Sequence, residues 1–299
     1  MILRLGVLHY PISHIGSLAD YATKLDRLVG EGAAGGGELL LMAEYACMEL
    51  AAAYSASGST SSGSIPNAGA ERDAVCAVAA DIVGIMRAAA VRHRVWLAPG
   101  TLPQRVGGCI VNRAPLIRPD GAIALQDKQV MTRFEAEQWG IHGGAPAGVF
   151  ETPWGRIGIA ICYDVEFPGV VRAQTEAGAW LVLAPSCTDT AHGYNRVRLS
   201  ARARAIENQC FVAVSPTVGA APWLATLDAN QGRAGVYGPA DRGFPEDGVI
   251  VEGDGHGWVW ADLDPARLDL VRRDGAVRNF RDWPPGWRSP PADVIGFEA

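Results

Sequence analysis

Apolar residues along the chain fall in short runs that stop at a polar side chain, and between the runs they recur with a helical period. Leu3 to Tyr10 reads as a first strand. Leu18, Tyr21, Leu25 and Leu28 then set a helix over Ser17 to Glu31, ending in a Gly-rich turn. The run Leu39 to Met42 predicts a buried strand with Glu44 and Tyr45 just beyond its end. Val75, Val78, Ile82, Ile85 and Met86 predict one long helix over Glu71 to Arg94, followed by a strand-to-turn element at Val95 to Gly100. Cys109 to Ile117 and Ala122 to Gln126, joined by the Pro119-Asp-Gly121 turn, predict a β-hairpin that leaves Lys128 directly after a strand.

The second half repeats this logic. From the turn at Trp154-Gly155 the β-branched run beginning at Ile157 predicts a buried strand, and Cys162 sits where it gives way to the helical segment Gly169 to Gly178. Trp180 to Ala184 is another buried strand, ending in Pro185-Ser186-Cys187. Asn195 to Gln209 reads as a helix on which Arg204 and Glu207 can pair, and Cys210 to Ser215 as a strand. Gly232 to Pro239 and Gly257 to Leu263 are expected to form a late hairpin region. The strand–helix order therefore occurs twice, which predicts two sheets with helices outside both. A single domain over 1–281 and a Pro-rich, extended tail over 282–299, packed on the body or on a neighbouring subunit, are expected. Ser55 to Ala70, rich in Ser and Gly, reads as a long mobile loop near the site.

Composition narrows the partners. The formal charge is −6 and no Lys/Arg cluster occurs, which argues against nucleic acid or an anionic membrane surface. No apolar run reaches the ~18–20 residues of a bilayer span, and the N-terminus lacks a signal-peptide layout. The cysteines (47, 76, 109, 162, 187, 210) show no C-x-x-C pair and the histidines (9, 14, 93, 142, 192, 256) no H-E-x-x-H spacing. Neither a metal nor another cofactor is expected, and a reducing cytoplasm fits.

Glu44, Lys128 and Cys162 now stand at the ends of three apolar runs, the edge of an open α/β sheet at which ligands bind. Taken singly, each has a bland reading: a solvated loop glutamate, a charged surface loop, a buried structural cysteine. Together they form a chemical set. A thiol of ordinary pKa, ~8.5, is only a few per cent ionised at neutral pH. A carboxylate can take its proton, and an ammonium can favour both the thiolate and a developing oxyanion.

The chain resembles the nitrilase, or carbon–nitrogen hydrolase, superfamily. The resemblance rests on Leu-Met-Ala-Glu44-Tyr, on Asp-Lys128 followed by Arg133-Phe-Glu135, on Gly158-Ile-Ala-Ile-Cys162-Tyr-Asp-Val-Glu-Phe-Pro168, and on Arg202-Ala-Arg-Ala-Ile-Glu207 and Ala261-Asp-Leu-Asp264. It implies an α/β fold, a four-layer αββα sandwich of two mixed β-sheets with outer helices. It also implies Glu44 as general base, Lys128 as cationic stabiliser and Cys162 as nucleophile, with Glu135 as a second glutamate and Glu137 competing for that place. Ala43 departs from the family's usual proline before the Glu-Tyr pair, which is expected to alter loop stiffness slightly.

The implied activity is hydrolysis of a small-molecule amide, nitrile or N-carbamoyl amine through a cysteine thioester, by a homodimer or higher homo-oligomer. Acyl transfer to an amine, or a non-catalytic binding or scaffold protein on the same fold, are the alternatives. Substrate contacts are expected from the Tyr163 backbone N–H, Trp139, Ser186 and Cys187, with Thr188 and His142 nearby. Asp164 and Glu166 are expected to hold the turn.

Overall fold

A computed structural model describes residues 1–54, 67–287 and 290–299; most of the Ser/Gly-rich loop expected over Ser55 to Ala70 lies outside the described residues. The strands form two mixed sheets. In the first, Leu3–Leu8, Leu39–Leu41 and Trp96–Ala98 run parallel, with Trp258–Leu263 antiparallel on one side and the antiparallel group Cys109–Ile117, Leu102–Val106 and Ile123–Asp127 on the other. In the second, Gly155–Ile159, Leu181–Ser186 and Phe211–Ala220 run parallel, flanked by Gly148–Thr152 and by Gly235–Tyr237 with Val249–Glu252.

The period of two along each strand decides the layers. Leu39 and Leu41 face the second sheet and join Ile157, Ile159 and Leu183 in one core. Leu40 between them faces outward, onto Tyr21 and Leu25 of the helix Leu18–Ala34 and Ile82 and Met86 of the helix Ala79–His93. Burying a leucine completely on either side is worth roughly 1.5–3 kcal/mol, so a slip of one residue is strongly opposed. The helices Pro168–Glu176 and Ala191–Asn208 cover the outer face of the second sheet. The result is the expected helix–sheet–sheet–helix sandwich.

Three expectations need correction. The helix over Glu71 to Arg94 is two helices, Ala68–Ala77 and Ala79–His93, bent by 62° at Val78. No glycine or proline causes the break. The first helix is instead held at an angle by tertiary bonds: the buried Glu71 carboxylate accepts from the Ala225 and Thr226 N–H groups, and Asn67 caps its start. The chain after Lys128, for which a charged surface loop was the bland reading, is no plain loop, because Thr132 and Glu135 form a capping box that starts a short helix, Arg133–Glu137. The late strands do not pair with each other: Gly235–Tyr237 lies in the second sheet and Trp258–Leu263 in the first, against Leu3–Leu8.

The C-terminal tail lies along its own body. Asp293–Val294 adds a parallel strand beside Gly148–Val149 of the second sheet, and Glu298 bridges to Ile123 of the first. Between them Phe297 packs edge-on against Trp96 and Phe150, at 5.5 and 6.3 Å between ring centres. Among the described residues no single helix is long and apolar enough to cross a membrane.

Candidate active site

The site forms where ends of both sheets meet. Glu44 follows the Leu39–Leu41 strand and Lys128 the Ile123–Asp127 strand of the first sheet, while Cys162 follows Gly155–Ile159 and Cys187 follows Leu181–Ser186 of the second. Two of the turns are strained. Tyr45 (φ 57°) and Cys162 (φ 48°) both adopt the left-handed conformation that non-glycine residues avoid. The Tyr45 turn is held by its N–H donating to Thr101 Oγ1 at 3.0 Å. Cys162 opens a short 3-10 helix, Cys162–Glu166, whose first internal bond is the Asp164 N–H to the Ile161 carbonyl at 2.9 Å, so the Cys162 and Tyr163 N–H groups precede the helical hydrogen bonding.

The structure brings Glu44, Lys128, Glu135 and Cys162 together, all buried. Lys128 Nζ donates to Glu44 Oε1 at 2.8 Å and to both Glu135 oxygens at 2.8 and 2.7 Å. Glu44 Oε2 accepts the Cys187 backbone N–H at 3.0 Å. The Cys162 thiol lies 3.7 Å from the carbonyl oxygen of Cys187, the residue whose N–H holds Glu44, so thiol and carboxyl share one neighbour. Of the two competing glutamates, Glu135 turns inward, whereas Glu137 is exposed and pairs with Arg133 at 2.9 Å. Glu135 is fixed further by the Tyr45 hydroxyl at 2.8 Å and by Thr132 at 2.9 Å.

The family model for carbon–nitrogen hydrolases matches residues 18–253. The chain belongs to the carbon–nitrogen hydrolase family. It is 36% identical over 204 residues to the probable hydrolase YhcX of Bacillus subtilis, covering 68% of this chain and 40% of that protein. It is 32% identical over 148 residues to the deaminated glutathione amidase of Yersinia enterocolitica, covering 45% of this chain and 51% of that one. The chain thus spans between two-fifths and about half the length of these curated relatives. Its fold matches that of an amidase from Nesterenkonia, solved with acrylamide added at the active-site cysteine, with a TM-score of 0.65 at 22% identity over 90% of this chain and 96% of that one.

In this member of the carbon–nitrogen hydrolase family, burial sets the first-order electrostatics. Desolvation raises the Glu44 carboxyl to about 7, with the charge of Glu135 adding to the rise and Lys128 opposing it. Glu135 goes the other way. Burial pushes it up, but Lys128 and the hydrogen bonds from Thr132 and Tyr45 bring it below the usual carboxylate range. The two glutamates are driven apart, as two roles require. The Cys162 thiol is raised by burial and then by Glu44, against the opposing pull of Lys128. It rests as a thiol beside a carboxyl able to take its proton.

The other expected residues are spread more widely. Trp139 is buried behind the site, its ring 4.9 Å from Tyr45 and 5.3 Å from Phe134. The Ser186 hydroxyl turns back to the Ala184 carbonyl of its own strand at 3.1 Å. Cys187 meets the site through its backbone, and its thiol lies 3.7 Å from Asn230 Oδ1. His142 is exposed in the strand Ile141–His142. Asp164 is buried and accepts from the N–H of Ile161, at 3.2 Å, and of Gln129 and Val130, at 3.1 and 2.8 Å. It therefore ties the turn before Cys162 to the segment after Lys128. Glu166 pairs with Arg196 at 3.5 Å. Asn112 was absent from the expected set: its Nδ2 donates to Glu44 Oε1 at 2.8 Å and reaches Glu135 Oε1 at 3.4 Å. A lone amide inside the apolar strand Cys109–Ile117 was the available signal.

Proposed function

We propose that the chain is an amidase-type hydrolase that cleaves a small-molecule C–N bond through a thioester on Cys162. The observation that carries this reading is the Lys128 ammonium, 2.8 Å from Glu44 and 2.7 Å from Glu135, in the same buried cluster as the thiol. Ionised Glu44 takes the thiol proton as sulfur attacks the amide carbon. The C–O double bond opens, and the oxyanion is received by Lys128 and the Tyr163 N–H. Glu44 returns its proton to the nitrogen, the C–N bond breaks, and ammonia or an amine leaves the acyl-enzyme. Glu44 then deprotonates water, which attacks the thioester; the C–S bond breaks, Glu44 returns the proton to the Cys162 sulfur, and the carboxylic acid leaves. Glu135 holds the ammonium in place throughout.

Amidase activity in relatives of this family supports amide over nitrile or N-carbamoyl substrates. A reducing compartment such as the cytoplasm suits a thiol nucleophile among six unpaired cysteines. A panel of amides, nitriles and N-carbamoyl amines, read by ammonia release and by the mass of a trapped acyl-enzyme, tests the proposal. Amide turnover with an adduct on Cys162, absent in Cys162→Ala, is the expected result. Iodoacetamide labelling of Cys162 no faster than of the other thiols, together with no turnover, would sink it.

A further inference from the structure

Asn112 bonds to all three charged members of the cluster, to Lys128 through the backbone and to both glutamates through its side chain. Its backbone carbonyl accepts the Lys128 N–H at 2.8 Å, which sets the height of the lysine. Its side-chain nitrogen meets both glutamates, Glu44 Oε1 at 2.8 Å and Glu135 Oε1 at 3.4 Å. The amide can face only one way, since the reverse orientation would set its oxygen against two carboxylates. In the observed orientation Oδ1 is fully buried and has no hydrogen-bond partner among the described residues. Leaving an acceptor unpaired in a buried site is unfavourable, and a side chain present only to fill the strand interior would be better served by an apolar residue. The two donated bonds are what Asn112 supplies.

We propose that Asn112 is a positioning residue for the reaction: it spans the two glutamates on either side of Lys128 and holds Glu44 in the ionised form that accepts the Cys162 proton. This rests on the thiol-hydrolase reading given above. The cluster that Asn112 bonds, with its own neighbours, draws on five elements: Glu44 and Tyr45 beyond Leu39–Leu41, Lys128 beyond Ile123–Asp127, Glu135 on its short helix, and Cys162 and Cys187 beyond Gly155–Ile159 and Leu181–Ser186 of the second sheet. A neutral donor suits this place better than a charged one. A cation there would compete with Lys128 for the carboxylates, and an anion would be a third negative charge. Donation to a carboxylate favours its charged form, so removing the donor raises the pH at which Glu44 ionises.

The test is the pH dependence of Cys162 alkylation by iodoacetamide, which reads proton removal without any substrate. Wild type is compared with Asn112→Leu, close in volume without a donor, and with Asn112→Asp, which keeps the shape and replaces the amide by a carboxyl. The acid limb is expected to move upward by about half a pH unit or more in each folded variant, with a lower plateau rate. A merely structural residue would change the melting temperature and leave the limb in place. Profiles superimposable on wild type overturn the inference, and so does failure of both variants to fold, which would make Asn112 a residue of the fold alone. If wild-type Cys162 labels no faster than the other thiols and only along the limb of an ordinary thiol, at ~8.5 or above, the thiol-hydrolase reading fails instead, so the two failures are separable.

Discussion

The Lys128 ammonium touches both oxygens of Glu135, at 2.8 and 2.7 Å, and only one of Glu44. One glutamate therefore acts as its counter-ion, while the other keeps an oxygen for further bonding. Replacing Lys128 by Met leaves two buried carboxylates without their cation, and breaking a buried pair in this way costs about 3–5 kcal/mol. The expected result for Lys128→Met is a large drop in the urea midpoint together with loss of roughly 10²–10³-fold or more in turnover. Near-wild-type ammonia release by a folded variant would show that the lysine is not the oxyanion partner.

Glu44 must be ionised to act as base, and burial has raised it to about 7. The value of kcat/KM is therefore expected to fall as pH drops through that region; a profile flat from roughly pH 5 to 9 would remove Glu44 from the acid–base role. Stability carries the opposite sense. The folded protein holds this proton up to about 7, whereas the ordinary carboxyl releases it near 4.5, so the unfolding free energy contributed by Glu44 falls as pH rises between those values. Urea curves of wild type and Glu44→Gln at both ends of the window measure this, and the slope is expected to flatten in the variant.

Gly100 has φ 97°, and a Cβ there would stand 1.8 Å from the Ala43 carbonyl oxygen, one residue before Glu44. Both the conformation and the contact exclude a side chain. Gly100→Ala is expected to destabilise by roughly 2 kcal/mol or more and to lower kcat per folded molecule, because the Glu44 turn must shift. Calorimetry together with titration of Cys162 sites separates the two effects. Unchanged kcat per site would show that the turn tolerates the displacement.

Phe297 fastens the tail over Trp96 and Phe150, which belong to different sheets. Phe297→Ala is expected to lower stability by about 1–3 kcal/mol, a partly buried ring costing less than a core one. Activity at low temperature should be retained. Loss of turnover without loss of melting temperature would place the tail in the site instead.

How far the sequence could be read depends on which force set each element. Strand ends carrying Glu44, Lys128 and Cys162 were legible because an apolar run with a polar stop reports local burial directly. The bend at Val78 was not, since it follows from Glu71 reaching the distant Ala225 and Thr226 amides and leaves no breaker residue in the chain. Similarly, Trp258–Leu263 joins Leu3–Leu8 across almost the whole chain, a pairing that no local pattern encodes. Glu135 and Glu137 look alike in sequence; the capping box of Thr132 turns one inward, and Arg133 keeps the other outside. Asn112 was missed because a polar residue in a strand, here next to Arg113, reads as an exposed position until the facing carboxylates are seen.

Glu44 and Lys128 are carried by one sheet, and Cys162 by the other. The cluster is therefore a gauge of how the two sheets are registered. An ångström of sliding along the core of Leu39, Leu41, Ile157 and Ile159 would separate Glu44 from Cys162 while every strand kept its own hydrogen bonds. Chemical competence in this protein should consequently vanish before secondary structure does on heating, as a precision instrument loses calibration before it breaks.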